Sequence, residues 1–202
     1  VRTREHTLAS MAARLRSIEE LIAAREGYSD AARLVLSHSS GSLTHLGSVA
    51  DYLDADRHYE RAVEASLGEL VQYVVVLSEQ DARVGMALAA SENAGRCGFV
   101  IVDAAPATGF EASPHPALTP LAQFVRIVGD AGPAVRGLLR RRWFAPSVDA
   151  ALAAARTTDD PITTPDGTVF RGSSVVHGGG KAEALGILAT KGETRELRSA
   201  MV

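Results

Sequence analysis

Four glycines lie within nine residues, from Gly172 to Gly180, and this segment is the strongest candidate in the sequence for a site of chemistry. A phosphate-binding P-loop has the pattern Gly-x-x-x-x-Gly-Lys followed by Ser or Thr, whose hydroxyl binds Mg²⁺. Here Gly180-Lys181 is followed by Ala182, and Val175 stands at the position of the first glycine. The segment therefore does not match a nucleotide-binding loop.

The run His177-Gly178-Gly179-Gly180 also has the composition of an esterase oxyanion loop. Such a loop works only with a Gly-x-Ser-x-Gly nucleophile elbow. The nearest segment, Glu64 to Gly68, has Glu64 in place of the first glycine and lies in a predicted helix. We therefore predict no catalytic residues and no enzymatic activity for this chain.

Glycines remove side-chain bulk and permit a positive φ at a cost in backbone entropy, so a close approach is expected at this segment. Two interpretations stay open. In the first, the backbone packs against a second copy of the chain and extends a sheet across a dimer by strand pairing. In the second, it is an ordinary glycine-rich turn between a predicted strand, residues 168–170, and the last helix. The candidate interface residues are Gly172, Gly178, Gly179 and Gly180.

One dense basic cluster precedes two aromatic residues, Trp143 and Phe144. Cationic side chains beside aromatic rings are suited to binding single-stranded DNA, and basic patches also bind double-stranded DNA. The alternative is a solvated helix face with Trp143 in the core. The candidate DNA contacts are Arg136, Arg140, Arg141 and Arg142, with Lys181 and Lys191 as weaker candidates.

The six histidines show no spacing that a metal ion requires, and Cys97 has no second cysteine as a partner. We therefore predict no metal and no cofactor, and no intrachain disulfide. Cys97 lies in an apolar run and is predicted to be a small core residue.

The charge balance limits the classes of partner. With 21 Lys and Arg against 24 Asp and Glu, the net charge of −3 excludes a globally basic nucleic-acid-binding surface, so any DNA contact must be local. No run approaches the roughly 20 apolar residues that span a bilayer. We expect a cytoplasmic protein with neither a membrane nor a small-molecule substrate as a partner.

Helical segments flank the sequence. Apolar residues recur with 3, 4, 3, 4 spacing at Leu8, Met11, Leu15, Ile18 and Ile22. This spacing predicts a coiled-coil seam, although a single amphipathic surface helix would also produce it. A second helix is predicted from about Ala182, with its heptads interrupted by Gly186 and Gly192. Helices at both ends of one body predict an antiparallel pair.

Between these helices the pattern is that of an α/β or α+β protein. Residues 70–77 and 97–102 are predicted strands, and residues 56–67 and 80–90 are predicted helices. The stretch from Asp103 to Pro120 carries four prolines and Gly109, and is the predicted linker. After it, residues 121–125 resemble residues 46–50, and residues 146–150 resemble residues 78–82, so an internal duplication is one interpretation.

Taken together, these segments resemble the hinge domain of SMC (structural maintenance of chromosomes) proteins of the bacterial type. The resemblance covers nearly the whole chain and depends on the order of several weak motifs. They are Ala32 to Ser37, Leu46 to Leu53, Tyr59 to Gly68, Gln72 to Val76, Gly95-Arg96, Asp166-Gly167, Gly172 to Gly180 and Ile187 to Lys191.

The resemblance implies two similar α/β subdomains with mixed sheets, flanked by coiled-coil helices, that homodimerise and join two coiled-coil arms. It further implies a role in chromosome condensation or segregation, association with DNA and the nucleoid, and a parent protein with an ABC-type ATPase elsewhere. A DNA-binding module in which dimerisation is secondary is the alternative. The expected limits are a coiled-coil segment at 1–27, subdomain I at 28–105, a Pro-rich linker at 106–120, subdomain II at 121–183 and a second coiled-coil segment at 184–202.

Overall fold

The computed structural model describes residues 2–38, 43–104, 112–179 and 186–201. Gly180, Lys181 and Ala182 lie outside these ranges, as do Pro106 and Gly109 of the predicted linker. The helices are α1 (Arg2–Ala23), α2 (Asp30–Ser37), α3 (Glu60–Leu67), α4 (Glu79–Ser91), α5 (Gly132–Gly137), α6 (Val148–Ala154) and α7 (Ile187–Ala200). Short 3-10 helices span Val49–Tyr52, Gly68–Gln72 and Leu121–Phe124.

The strands of the described ranges are short and form three sheets. They are β1 (His45–Ser48), β2 (Leu53–Ala55), β3 (Val74–Val76), β4 (Phe99–Ile101), β5 (Thr119–Pro120), β6 (Val125–Ile127), β7 (Trp143–Phe144), β8 (Pro161–Thr163), β9 (Val169–Arg171) and β10 (Val175–His177). The first sheet has the order β1-β3-β4, the second has the order β10-β9-β8-β7-β5, and β2 pairs with β6. The mixed α/β class predicted from the sequence is confirmed.

The predicted elements are present with shifted ends. The apolar run at 70–77 enters as a 3-10 helix, in which Val71 is buried, and only Val74–Val76 forms the strand. The predicted helix at 56–67 begins only at Glu60. Asp56 instead begins a turn, in which its side chain accepts a hydrogen bond from the His58 N–H at 3.0 Å. Cys97 precedes β4 and is half-buried rather than fully buried.

The same order of elements occurs twice along the chain. Both β1 to β4 and β5 to β8 have the order strand, 3-10 helix, strand, helix, strand, helix, strand, and the first copy has an additional 3-10 helix, Gly68–Gln72, before its third strand. In each copy the first strand is antiparallel to the third, and the third is parallel to the fourth. The second strands pair with each other, antiparallel, with Leu53 opposite Ile127. The two similar units are therefore related as a duplication.

The structural correspondence differs from the one suggested by the sequence. Ser78 and Ser147 both cap the helix that follows, each accepting a hydrogen bond from the N–H three residues later. Ser78 therefore corresponds to Ser147, not to Pro146. Likewise, Val49 corresponds to Leu121, because each is fully buried at the start of a 3-10 helix. The offset is one residue in one case and three in the other, which explains why the duplication is faint in the sequence.

The hydrophobic core joins the two units. Its largest cluster contains Val63 of α3, Leu53 of β2, Leu121 and Val135 of α5, so residues from both copies pack together. The rings of Tyr59 and Phe124 stack within this region, with centroids 3.8 Å apart. A separate cluster around Trp143 and Ile162 lies against the five-stranded sheet. The predicted subdomain limits at 28–105 and 121–183 stay a prediction.

The terminal helices pack against each other. Ile18 is buried, and the other seam residues closest to it, Leu15 and Ile22, are half-buried, as the heptad pattern predicts. Gly27, after the end of α1, lies beside Ile187, whereas Arg14 forms an ion pair with Glu193 at 2.8 Å. The later residue of the first helical segment thus contacts the earlier residue of α7, and the earlier residue contacts the later one. The two helices therefore run antiparallel, as predicted.

Candidate dimer interface and arm junction

The glycine-rich segment borders an unpaired sheet edge. Among the described residues, strand β10 is the outer strand of the five-stranded sheet and pairs with β9 alone, with Val176 opposite Phe170. Val175 and Val176 are 52% and 55% exposed, so both faces of this strand present apolar surface. An open edge with exposed β-branched residues is a template for pairing with another strand.

The four candidate glycines have different environments. Gly172 has φ of +55°, and an added Cβ would lie 2.6 Å from Asp159 Oδ1. An added Cβ at Gly178 would lie 2.8 Å from Thr168 Oγ1. The chain's own packing thus accounts for these two. Gly179 has φ of +82°, and no atom of the described residues lies within 4 Å of an added Cβ, so this side of Gly179 is open in that part of the chain. Gly180 lies outside the described residues.

A second open edge belongs to the three-stranded sheet. Within the part of the chain that the structure describes, strand β4 pairs only with β3, in parallel, with Phe99 opposite Val74. Phe99 and Ile101 are half-buried. The ring of Tyr73 covers Gly98, immediately before β4, so closely that no Cβ would fit there. Tyr73 also lines a cleft together with residues of β10. This side chain therefore lies near both open edges, that of β4 and that of β10.

A polar cleft of about 330 Å³ separates the end of α3 and its following 3-10 helix from the β9–β10 hairpin. Ser66, Tyr73, Arg142, Arg171 and His177 are among its lining residues. No residue of this cleft was singled out by the sequence except Arg142 and the glycine-rich segment, because its walls are distant in sequence. The cleft places charged groups beside the exposed edge of β10.

Arg142 is held by backbone carbonyls. Its Nε donates to the Leu138 carbonyl at 2.7 Å, and its Nη1 donates to the Ser66 carbonyl. Burial, reinforced by the charge of Arg171, lowers the pKa of Arg142. This guanidinium therefore has a packing role that a surface interpretation of the basic cluster does not anticipate.

The remaining candidate DNA contacts are placed as follows. Arg141 pairs with Asp160 at 2.9 Å, and the same carboxylate accepts a hydrogen bond from Trp143 Nε1 at 3.0 Å. Trp143 is 2% exposed, which confirms the core interpretation of this residue. Arg136, in the last turn of α5, and Arg140 are both partly exposed. DNA contact by these residues stays a prediction.

Lys191, the last described candidate, lies at the junction of the arms with the body. It forms an ion pair with Asp51, and its side chain is 21% exposed. Lys181 lies outside the described residues. Lys191 therefore contributes to the attachment of α7, a role that its sequence position alone does not indicate.

Asp51 is the centre of a polar network that contacts both arms. Its Oδ2 accepts hydrogen bonds from the Ser48 N–H and hydroxyl at 2.7 and 2.8 Å, and the Arg25 guanidinium lies 3.8 Å away. The Tyr28 hydroxyl bonds to Ser48 Oγ at 2.9 Å. Burial raises the pKa of Asp51, but the charge and hydrogen bonds of Lys191 and Ser48 outweigh it and hold the pKa below its ordinary value.

The described residues contain neither a candidate metal site nor a helix that could cross a membrane. No group of three or more His, Cys, Asp or Glu side chains in 2–38, 43–104, 112–179 and 186–201 is placed to hold a metal ion. None of the helices in that part of the chain combines the length and the apolar character needed to cross a membrane.

Comparison with known proteins gives consistent matches. Over 210 residues the chain is 28% identical to the chromosome partition protein Smc of Myxococcus xanthus (strain DK1622). The match covers 94% of this chain and only 17% of that relative.

The fold is similar to that of solved SMC hinge domains. The hinge domain of Geobacillus stearothermophilus SMC, crystallised as an asymmetric dimer, matches with a TM-score of 0.86 and 22% identity, over 99% of this chain and 84% of the other. The Pyrococcus furiosus SMC hinge domain matches with a TM-score of 0.63 and 20% identity, over 92% and 94% of the two chains.

The family model for the flexible hinge domain of SMC proteins matches residues 43–155, a range that includes β1 to β4 and continues through α6. It thus spans the first copy of the duplicated unit and the second copy as far as α6, without β8. On this match over more than half of its length, the chain belongs to the SMC hinge family.

Proposed function

We propose that this chain is a homodimerisation hinge that joins two coiled-coil arms. The observation that carries the proposal is the open edge of β10, where Val175 and Val176 are more than half exposed in a hinge-family fold. Two copies related by a two-fold axis make every contact twice, which turns one short edge into a durable joint. No bond is made or broken by this activity, so the chain is proposed to be non-catalytic and to need no cofactor.

The partner of β10 in the dimer is proposed to be β4 of the second copy. Both strands are outer strands of their sheets. Tyr73 packs against Gly98 just before β4 and lines the cleft beside β10. Under a two-fold axis, β10 of each copy meets β4 of the other, so both sheets gain a strand by edge pairing. Gly179, with open space beside its backbone, lies at the end of this joint, and Gly172, Gly178 and Gly180 complete the proposed interface segment.

The role of the whole protein is proposed from its relative. The chain spans 17% of the chromosome partition protein Smc that it matches, so most of that protein lies outside this comparison. We propose that the parent of this chain acts in chromosome segregation or condensation at the nucleoid in the cytoplasm, with an ABC-type ATPase in another region. The hinge would then hold two such parents together through their arms.

Local DNA contact is the second proposed function. Arg136 supports it, because this half-exposed residue has no acidic partner among the described residues and belongs to the predicted basic cluster. Such contacts bind phosphates and weaken as salt rises. The contact would be confined to this region, since the net charge of the chain is −3.

The dimer is tested by light scattering on Val175→Glu/Val176→Glu. Both residues are largely exposed, so the fold should persist while charge at the edge disrupts strand pairing, and a monomeric mass is expected. The matched control is Val148→Glu/Leu152→Glu on α6, whose residues are 44% and 45% exposed and lie away from any sheet edge. A dimer of unchanged mass for the β10 variant would overturn the proposal.

The strand partner is tested by cross-linking in a Cys97→Ser background. A short bismaleimide should join Val176→Cys protein to Ile101→Cys protein when the two are mixed. Efficient cross-linking of Val176→Cys protein alone would instead indicate that β10 pairs with β10, and would overturn the β10–β4 assignment.

A further inference from the structure

The first turn of α7 is capped by a side chain from a distant helix. The Ile187 and Leu188 N–H groups donate to Glu64 Oε1 and Oε2, at 2.7 and 3.1 Å. The first N–H groups of a helix have no partner within it, and a preceding Ser, Thr, Asp or Asn side chain usually supplies one. Here the residue before the helix is Gly186, which has no side chain, so α3 supplies the acceptor.

The glycines that interrupt the heptads of α7 are explained by this contact. An added Cβ at Gly186 would overlap the carboxylate of Glu64, and one at Gly192 would overlap that of Glu60. Neither glycine has a positive φ, so space, and not backbone conformation, is the constraint. Because Glu60 and Glu64 are four residues apart on α3, they lie on the same face of that helix, towards α7.

Charged residues further along α7 continue the contact with the body. Arg195 forms an ion pair with Asp54 of β2, and its guanidinium lies 3.9 Å from Glu60 Oε1. Glu196 pairs with Arg57, which precedes α3. The outgoing helix is therefore held to the body along three turns, and α3 with its flanking residue Arg57 provides most of the partners.

Helix α3 also contacts the sheet that carries β10. An added Cβ at Gly167, in the turn between β8 and β9, would lie 3.2 Å from Arg61 Cγ and 3.4 Å from Ala65 Cβ. The last residues of α3 line the cleft beside β10. One short helix thus connects the start of the arm with the five-stranded sheet.

We propose that Glu64 and Glu60 are positioning residues that fix where the outgoing arm begins and the direction in which it leaves the hinge. Glu64 accepts hydrogen bonds from the first N–H groups of α7 and so anchors the start of that helix. The Glu60 carboxylate packs directly against the backbone of α7 at Gly192. The anchoring is intrachain, so it goes beyond the proposed dimerisation and does not depend on it.

The proposal is tested by amide hydrogen exchange on Glu64→Ala. Exchange in residues 187–200 is expected to accelerate at least tenfold, while exchange in α6 and the mass of the particle stay as in the unmodified protein. Ser147→Ala is the matched control, because it removes the cap of α6 and should accelerate exchange there and not in α7. Unchanged exchange in α7, or the same acceleration in every element, would overturn the proposal.

A second pair of variants tests the contact of Glu60 with Gly192. Gly192→Ala alone should displace the Glu60 carboxylate and accelerate exchange in α7. In a Glu60→Ala background there is room for the added methyl group, and the same substitution should slow exchange, because alanine favours the helix. Equal effects of Gly192→Ala in the two backgrounds would show that Glu60 does not position α7. If the protein were monomeric while the effect of Gly192→Ala still depended on Glu60, only the proposed dimer would be contradicted, and the proposed role of Glu60 would stand.

The direction of the arm is measured with spin labels at Ser199→Cys and Glu92→Cys in a Cys97→Ser background, diluted with unlabelled protein. A single narrow distance distribution is expected, and Glu64→Ala should broaden it. An equally narrow distribution in that variant would mean that Glu64 does not set the direction of α7.

Discussion

Lys191 of α7 forms an ion pair with Asp51, the carboxylate that also accepts two hydrogen bonds from Ser48 at the end of β1. Arg25, just after α1, lies near the same carboxylate. One carboxylate, 34% exposed, therefore contacts the incoming helix region, the outgoing helix and the first sheet. The attachment of the arms to the body should depend on its charge.

We predict that Asp51→Asn lowers the free energy of unfolding by about 1 kcal/mol at pH 7, because its hydrogen bonds and ion pairs lose their charge, and solvent screens a carboxylate this exposed. The pKa of Asp51 in the folded chain is below its ordinary value of 3.8. Its contribution is therefore full above that value and is lost as the pH falls through the folded pKa. Urea unfolding at pH 7 and pH 3 measures this, and an Asn variant as stable as the parent at pH 7 would contradict it.

Glu60 should produce the opposite pH dependence. Burial, and then the charge of Glu196, raise its pKa from 4.5 to about 7, and Asp56 and Glu64 act in the same direction against Arg57. Asp54 and Arg195 also face it from β2 and α7. Because the folded pKa is raised, stability is greatest below pH 4.5 for this group and is lost as the pH rises through 7.

The measurement is the urea midpoint at pH 5 and pH 8. Glu60→Gln keeps the size of the side chain and removes the ionisation, so the difference between the two pH values should shrink. Glu69→Gln, an exposed residue beyond the end of α3, is the control and should leave the difference unchanged. A Glu60→Gln variant with the full pH difference would show that another group causes it.

Gly179 separates the two interpretations of the glycine-rich segment. Asn tolerates a positive φ better than other residues, so Gly179→Asn should change the free energy of unfolding by no more than about 1 kcal/mol. Its side chain would fill the open space where the second copy is proposed to approach, so the dimer dissociation constant should rise. Analytical ultracentrifugation measures it, and an unchanged constant would favour an ordinary turn.

The sequence was sufficient for patterns that are local. The 3, 4 spacing around Ile18 predicted the packed face of α1, and the β-branched run ending at Val76 predicted the buried strand β3. The family resemblance was carried by the same kind of local motif. These features depend on residues that are neighbours along the chain, so they can be predicted from the sequence without knowledge of the three-dimensional structure.

Features that depend on distant partners could not be predicted. Gly186 and Gly192 break the heptads of α7, and their reason, the carboxylates of Glu64 and Glu60, lies more than 120 residues earlier. The same holds for Arg142, which the sequence placed in a basic patch and the structure bonds to the Ser66 carbonyl, 76 residues away. In each case the constraint is a three-dimensional contact with no periodic signature.

The placement of the arginines also determines how DNA binding should be tested. Arg142→Glu would break its bonds to two carbonyls and unfold part of the cleft, so a loss of DNA binding in that variant would be ambiguous. Arg136→Glu avoids this problem, because Arg136 is half-exposed and makes no ion pair among the described residues.

We predict that Arg136→Glu weakens single-stranded DNA binding. The slope of log K against log salt should also become less steep, by the amount that corresponds to about one phosphate contact or more. Arg83→Glu, an exposed charge reversal on α4, is the control and should leave both quantities unchanged. Fluorescence anisotropy at several salt concentrations measures them, and light scattering checks that the mass stays constant. Equal losses in the two variants would mean that only overall charge matters, and no loss in either would remove this cluster as a DNA contact.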